Sequence, residues 1–216
     1  MAGAAEERPP LSRPGRPRLY EPVAERQLLM DAAVEVLRRN EGSEATVADI
    51  LNEAGLSTRA FYRHFEGKED VVRAIFERDA ESFGLQLRRH VEQANDPAAG
   101  VVAWIDEMLS LAYDRRRRAR MAAFSSRMVM TIVAGTGVQS LGQTLLVEPL
   151  HDVLVRGHES GAFALVEPDA DVWMINALTW EAIGAVQSGR SVSTRHEALD
   201  QVLRFVLPAL GAAPAG

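Results

Sequence analysis

The chain of 216 residues contains no cysteine. Disulfide frameworks and thiolate metal sites are therefore excluded, and nothing in the composition suggests an oxidising compartment. No apolar run approaches the length of a membrane span, and the acidic, proline-rich N-terminus differs from a signal peptide. From these absences we expect a cytoplasmic protein with no membrane contact.

Lysine is also scarce, and the chain carries no net positive charge. The net charge is −6, from 24 basic and 30 acidic residues, and Lys68 is the only lysine. The predominance of arginine, together with many alanines, suggests a GC-rich bacterial genome. A protein that coats nucleic acid indiscriminately needs bulk positive charge, so that class is disfavoured, while a local cationic face is not.

Sequence signatures of catalysis are missing as well. The chain has no nucleophile elbow, metal triad or complete phosphate loop. Gly135-Thr136-Gly137 resembles the start of a dinucleotide loop, but Ser140 stands at the sixth position and no second strand follows. His151 and Glu148 are one helical turn apart, and two residues without a third are weak as metal ligands; helix pairing explains them better. We expect no enzymatic activity, no cofactor and no metal.

The segment from Thr46 to Lys68 has the most informative pattern. Thr46 and Asp49 form a capping box, and apolar residues follow at helical spacing until Gly55, which takes positive φ without penalty and permits a sharp turn. Ser57 is a good N-cap for a second helix. The segment therefore predicts a helix-turn-helix, whose second helix fits the DNA major groove.

The second helix is expected to bury Phe61 and Phe65, one turn apart, and to expose polar and cationic side chains. Arg59 is the best choice for a base contact, because a guanidinium donates two hydrogen bonds to guanine. Thr58 and Ala60 are expected to contact a thymine methyl. The side chains expected outside the core of this helix are Thr58, Arg59, Tyr62, Arg63 and His64.

Residues 26–79 resemble the DNA-binding domain of the TetR family of transcriptional regulators. The resemblance rests on the run Gly55–Phe65, read as GLSTRAFYRHF, and on Lys68-Glu69 after it. It implies an all-α protein: an N-terminal three-helix helix-turn-helix domain, then a helical ligand-binding and dimerisation domain. It also implies a homodimer on a palindromic operator, and phosphate contacts by several polar residues. The expected DNA-contacting set is Thr46, Ser57, Thr58, Arg59, Ala60, Tyr62, Arg63, His64, Lys68, Arg16 and Arg18.

Four segments are expected along the chain: a disordered basic and proline-rich arm over 1–21, the helix-turn-helix domain over 22–68, the regulatory and dimerisation domain over 69–210, and a disordered tail over 211–216. Within the arm, the Gly-Arg-Pro core at 15–17 resembles an AT-hook, which lays arginines such as Arg16 and Arg18 in a minor groove. A soluble tail with incidental charge explains the arm equally well. The run Arg115–Arg118 is read as a solvated helix face.

Two apolar helices are predicted near the C-terminus, over residues 169–186 and 194–208. The first is apolar on several faces, and the second begins with the capping box of Thr194 and Glu197. Together they offer more apolar surface than one subunit buries, and in the TetR family such a pair forms the dimer interface. A closed monomer core is the alternative.

The regulatory domain is expected to bind a small lipophilic or aromatic effector, because large, adaptable apolar side chains suit such a ligand. Each candidate taken alone is better explained as an ordinary core residue, and only the set as a whole points to a pocket. The alternative is a repressor that has no effector and acts by occupancy alone; repression itself is implied only by the family. The expected pocket residues are Trp104, Met108, Met121, Phe124, Met128, Leu146, Leu150, Trp173, Asn176 and Trp180.

Overall fold

The computed structural model describes residues 21–40, 45–124 and 138–212, with the backbone alone for 122–124 and 138–143. These ranges contain nine α-helices and one isolated antiparallel bridge, between Phe163 and Ala212, which confirms the all-α fold. None of the helices in these ranges is both long and apolar enough to cross a bilayer. The helices are α1 Pro22–Arg39, α2 Val47–Ala54, α3 Thr58–His64, α4 Lys68–Glu92, α5 Pro97–Tyr113, α6 Arg115–Phe124, α7 Val138–Glu159, α8 Pro168–Gln187 and α9 Arg195–Ala209.

Local sequence signals fix the start of α2 and the turn after it. The Asp49 N–H donates to Thr46 Oγ1 at 3.2 Å, and the Thr46 N–H donates to Asp49 Oδ2 at 3.0 Å, so the predicted capping box is formed. Gly55 ends α2 with φ +64°, a left-handed conformation that favours glycine. Ser57 Oγ then accepts the Ala60 N–H at 3.3 Å and caps α3. The helix-turn-helix is therefore present as predicted.

The helices α1 to α3 and the first turns of α4 share one hydrophobic core, which we call the head. The core does not stop at Lys68 but continues through Val71, Val72 and Ile75 of α4. The boundary expected after residue 68 is thus too early, because the head needs the start of α4 to cover its apolar side. Its largest buried residues are Leu29, Met30, Leu37, Ile50, Phe61, Phe65 and Ile75.

The second core, which we call the body, is built from the remainder of α4 with α5, α7, α8 and α9. Trp104 of α5 is fully buried in it, and its indole N–H donates to the Leu146 carbonyl at 2.8 Å. This bond satisfies the single polar atom of the side chain inside an apolar environment. Other buried members are Leu87, Val91, Ile105, Met108, Leu109, Leu150, Leu154, Ile175, Ile183 and Val202.

The arginine-rich helix α6 is bonded to both α4 and α5, so it is not simply a solvated helix face. Arg115, Arg116 and Arg118 are exposed, as expected, but Arg117 is partly buried and bonded to Glu107 at 2.6 Å. Arg120 forms a two-contact ion pair with Asp79 of α4. The expectation of a solvated face is therefore wrong for Arg117, whose carboxylate partner lies on the preceding helix.

Regular structure at the C-terminal end extends two residues further than the sequence indicates. The Leu165 N–H donates to the Leu210 carbonyl at 3.1 Å, and Ala212 forms the bridge with Phe163. Gly211 has φ +67°, and a Cβ there would lie 2.8 Å from Leu165 Cγ. The tail expected from residue 211 is therefore wrong for 211 and 212, while 213–216 lie outside the described residues. Helix α9 also continues through Pro208 to Ala209.

Candidate nucleic-acid interface

Helix α3 displays polar side chains on one side because two phenylalanines hold its other side in the head. Phe61 and Phe65 are buried, with ring centroids 5.9 Å apart. Thr58 and Arg59 are exposed, and Tyr62 is 60% exposed with its ring edge-on to Phe61 at 5.3 Å. The helix therefore presents a hydroxyl, a guanidinium and a phenol to the outside, as the sequence predicts.

Ala60 does not belong to this exposed surface. It is only 5% exposed and lies with the buried residues of α3. The expectation that Ala60 contacts a thymine methyl is therefore wrong. The reason is geometric: Ala60 lies four residues before His64, so both fall on the same side of α3, which is turned into the head.

His64 is also placed differently from the expectation. Its side chain is only 10% exposed, and its Nε2 lies 3.1 Å from Glu25 Oε2 on α1. Arg63 Nη1 donates to the same oxygen at 2.6 Å. The expected position of His64 outside the core is wrong, since the end of α3 turns this imidazole toward α1. Arg63 stays at the surface, but with its guanidinium ion-paired.

Glu25 is the functional candidate that the sequence did not reveal. Its side chain is 7% exposed. The hydrogen bond from His64 lowers the pKa of Glu25, burial opposes this, and the positive charge of Arg63 lowers it further. A carboxylate with a lowered pKa is ionised near neutral pH, so Glu25 offers two acceptor oxygens to the cationic end of α3.

The charge pattern of the head distinguishes Arg59 from its neighbours. Arg38 is bonded to Glu35, Arg39 to Glu53, and Arg63 to Glu25. Arg59 is exposed and forms no ion pair with another of the described residues. An unpaired guanidinium on an exposed helix retains all its donors for a nucleic-acid acceptor.

Three other expected contacts stand at helix beginnings. Thr46 precedes α2, Ser57 precedes α3, and Lys68 is the first residue of α4. Both hydroxyl residues are exposed, whereas Lys68 is half-buried. Backbone N–H groups at such positions attract phosphate oxygens. Arg16 and Arg18 lie outside the described residues.

The expected pocket residues do not gather around one cavity in the described part of the body. Trp104, Met108 and Leu150 are fully buried core residues, with Leu146 and Trp180 partly buried against them. Trp173 lies instead at the surface, half exposed, and lines a cleft of about 320 Å³ between α7 and α8. Trp173 therefore lines an open cleft at the surface, and its role in effector binding stays a prediction.

The remaining members of the pocket set are mixed. Asn176 carries a buried Oδ1 with no hydrogen-bond partner among the described residues. Met121 is partly buried, and its sulfur accepts a 3.7 Å contact from the Gln187 amide. The Phe124 side chain and Met128 lie outside what the structure describes, as does the loop-like run at 135–137.

His151 and Glu148 do not pair with each other. His151 Nε2 lies 2.9 Å from Asp169 Oδ1, and Glu148 accepts from Arg88 at 2.8 Å. The expected pairing is wrong, because the two side chains bond to different neighbouring helices, α8 and α4. Among the described residues, no group of three or more His, Asp or Glu side chains is placed to hold a metal ion.

Helices α8 and α9 expose large apolar side chains. Met174 is 71% exposed, and Trp173, Leu178 and Phe205 also lie at the surface. Three of these side chains lie on α8 and Phe205 lies on α9, and we call the exposed apolar side chains of these two helices the C-terminal face. Large exposed apolar areas in soluble proteins mark contact surfaces.

The head matches a known family model. Residues 29–75 match the model described as bacterial regulatory proteins, tetR family. The matched range runs from the middle of α1 into α4, so it covers the helix-turn-helix and the head core. The resemblance seen in the sequence is confirmed over this range.

Part of the chain is also similar in sequence to named transcriptional regulators. HTH-type transcriptional regulator BetI of Brucella canis is 32% identical over 92 residues, which cover 43% of this chain and 46% of that protein. The chain thus spans about half the length of the curated relatives that it matches.

Solved structures show the same fold over most of the chain. Fatty acid degradation regulator FadR from Bacillus halodurans has a TM-score of 0.69 at 19% identity, covering 85% of this chain and 94% of that one. The SmeT–triclosan complex has a TM-score of 0.69 at 21% identity, covering 86% and 91%. At these identities the likeness establishes the arrangement of a head and a helical body.

Proposed function

We infer, from a tetR-family head with an exposed recognition helix, that the chain is a homodimeric, sequence-specific DNA-binding transcriptional regulator. The observation that carries this proposal is α3 itself. Its apolar side is anchored by Phe61 and Phe65, while Thr58, Arg59 and Tyr62 face outward. A short helix with this division of side chains suits the major groove, which is wide enough to admit one α-helix.

Base readout is assigned to Arg59 and Thr58. The Arg59 guanidinium has no carboxylate partner among the described residues and matches the two acceptors of guanine. The Thr58 methyl suits contact with a thymine methyl. Tyr62, Thr46, Ser57 and Lys68 are assigned to phosphates, which fix the register of the head but not its sequence preference.

The arm is assigned a supporting role. Arg16 and Arg18 precede α1 by a few residues, and a basic segment there can add minor-groove or phosphate contacts beside the helix in the major groove. This contribution is part of the proposal and is tested by deleting residues 2–20, which should weaken binding without changing the preferred sequence. A changed preference would assign base readout to the arm.

We further propose that the C-terminal face joins two copies. Met174 and Phe205 are exposed on adjacent helices, and burial of such side chains against a twin helix pair would remove them from water. A twofold dimer presents two heads to half-sites about 34 Å apart, one helical turn of DNA. The operator is therefore expected to be an inverted repeat, and we expect the protein to act in the cytoplasm, where its DNA lies.

The body is proposed to bind a small lipophilic effector that releases the DNA. Trp104 and Met108 provide an apolar interior, and the unpartnered Asn176 Oδ1 offers one acceptor to a ligand hydroxyl or amide. SmeT, a protein of similar fold, is known in complex with triclosan. An effector that couples to DNA binding by about 1–3 kcal/mol weakens operator binding about 5- to 150-fold.

The alternative is an effector-independent repressor, and one observation favours it. Trp104, Met108 and Leu150 are packed without exposure, as in an ordinary core. Titration of tryptophan fluorescence with triclosan separates the two functions, with Trp173→Phe as the background that removes the exposed indole. Saturable quenching by triclosan, together with weaker operator binding in its presence, supports the effector. Quenching absent at every concentration, with intact DNA binding, supports occupancy alone.

Selection of bound duplexes from a random DNA pool tests the main proposal. An enriched inverted repeat with half-sites about one turn apart is expected. Arg59→Ala should select a repeat with one relaxed position in each half-site. Recovery of unselected sequences by the unaltered protein would overturn the proposed function.

A further inference from the structure

One carboxylate of α1 engages two consecutive side chains of the recognition helix. Glu25 Oε2 lies 2.6 Å from Arg63 Nη1 and 3.1 Å from His64 Nε2. Because an ionised carboxylate only accepts, the His64 Nε2 must carry the hydrogen of this bond. Arg63 and His64 are residues that a DNA-reading helix would otherwise offer to phosphates.

The contact is built into the fold and not a chance pairing at the surface. Glu25 is 7% exposed and His64 10%, whereas Arg63 keeps 35% of its side chain in contact with water. The next residue of α1, Arg26, stacks its guanidinium over the Phe65 ring at 5.0 Å. The first turns of α1 therefore hold the last turn of α3 through two adjacent side chains.

We propose that Glu25 is a positioning residue for DNA recognition, which occupies Arg63 and His64 in place of DNA phosphates and sets the orientation of α3. The proposal rests on the proposed function. Glu25 does not touch DNA in this arrangement. It acts through the two side chains that it holds.

The consequence is a weaker sequence-independent contribution to DNA binding. Phosphate contacts add affinity to every sequence alike, whereas base contacts discriminate. Holding Arg63 on a protein carboxylate withdraws one cation from the phosphate backbone and leaves the discrimination to Arg59. The carboxylate thus lowers affinity for unrelated DNA and for the operator by a similar factor, and base contacts supply a larger share of the binding free energy that remains.

A purely structural role for Glu25 makes a different prediction. If the carboxylate only stabilised the head, its loss would weaken binding to all DNA through partial unfolding. Under the proposal, loss of the carboxylate frees a cation, so binding to unrelated DNA becomes tighter and more sensitive to salt. The salt dependence of binding therefore separates the two roles.

The experiment compares Glu25→Gln with Glu35→Gln in the full chain. Both remove one negative charge from α1, and both carboxylates are bonded to an arginine, Arg63 or Arg38. Binding to a duplex without the operator is measured over a range of salt concentrations. Glu25→Gln should bind about five- to tenfold tighter at about 0.1 M salt, with a log–log slope steeper by about 0.9 for each Arg63 that gains a phosphate. Glu35→Gln should leave both quantities unchanged.

Arg63→Gln completes the test and also serves if Glu25→Gln fails to fold. With Glu25 present, Arg63→Gln should leave affinity and slope for unrelated DNA unchanged, and in the double variant it should cancel the gain. A lower slope for Arg63→Gln alone would overturn the proposal, as would an equal gain from Glu35→Gln. Selection of an inverted repeat by the unaltered protein keeps the proposed function standing in either case.

Discussion

Arg117 of α6 donates from Nη1 to Oε1 of the buried Glu107 on α5, at 2.6 Å. The same guanidinium donates from Nη2 to Gln86 Oε1 on α4 at 2.9 Å, and its Cζ lies 5.1 Å from the centre of the Phe83 ring. Glu107 also lies 3.1 Å from His90 Nδ1. One arginine therefore ties three helices of the body together through charge-assisted bonds.

Arg117→Met should destabilise the body. The substitution keeps an aliphatic side chain but leaves the buried Glu107 carboxylate without the Arg117 guanidinium. The expected loss in free energy of unfolding is about 2–4 kcal/mol. Arg116→Met is the matched control, since Arg116 is exposed on the same helix. Its effect should stay within about 0.5 kcal/mol in urea unfolding. Equal losses for both variants would contradict the role given to Arg117.

Arg59→Ala should relax sequence preference. Loss of a bidentate contact to guanine costs about 1–3 kcal/mol of discrimination at one base pair of each half-site. Competition between the selected operator and single-base variants measures this loss. Arg38→Ala serves as the control, because it also removes one exposed arginine from the head, here one bonded to Glu35. If Arg38→Ala relaxes the same position, the effect comes from charge and not from readout.

The two capping boxes should give the protein an acid-sensitive stability. Hydrogen bonds from the Thr46 hydroxyl and backbone lower the pKa of Asp49, and bonds from the Thr194 backbone and hydroxyl lower the pKa of Glu197. Because both pKa values are depressed on folding, the contribution is complete above the ordinary carboxyl pKa of about 4 and is lost as the pH falls through the lower folded values.

Thermal unfolding between about pH 7 and pH 2 measures this contribution. The double variant Asp49→Asn with Glu197→Gln should have a lower melting temperature than the unaltered protein near neutral pH. The gap should close at the acid end, where the native carboxyls are protonated as well. A gap that is constant with pH would show that the carboxylate charge is irrelevant to the caps.

Met174→Arg should convert a dimer to a folded monomer. Met174 is largely exposed on α8, and an arginine there would place two like charges near the twofold axis of the proposed interface. Sedimentation equilibrium gives the mass, and circular dichroism checks the helix content. Val23→Arg adds the same charge at an exposed apolar position of α1 and should remain dimeric. A monomeric unaltered protein would contradict the assignment of the C-terminal face.

Short-range features of the fold follow from sequence, because the groups involved are three or four residues apart. The capping box of Thr46 with Asp49 and the turn at Gly55 are of this kind, and both are found as predicted. The burial of Phe61 and Phe65 follows from helical spacing in the same way. These rules locate the recognition helix and the exposure of Arg59.

Other features depend on what the fold brings together. Glu25 and His64 are 39 residues apart, and no local pattern links them. Helical periodicity does not distinguish the four arginines of the run 115–118, yet among them it is Arg117 that forms an ion pair with a buried carboxylate. Trp173 and Trp180 lie two turns apart on nearly the same side of α8, so spacing cannot separate the half-exposed indole from the better buried one.

Helix α4 belongs to both cores. It begins among the buried residues of the head at Val71 and ends among those of the body at Val91, without a break over 25 residues. A continuous helix of this length is a rod of about 37 Å, so a tilt of only about 5° displaces its far end by about 3 Å. With two such rods in a twofold pair, the separation of the heads would shift by several ångströms. A lever of this kind would convert a change of side-chain packing in the body into a mismatch between the two heads and the helical repeat of DNA.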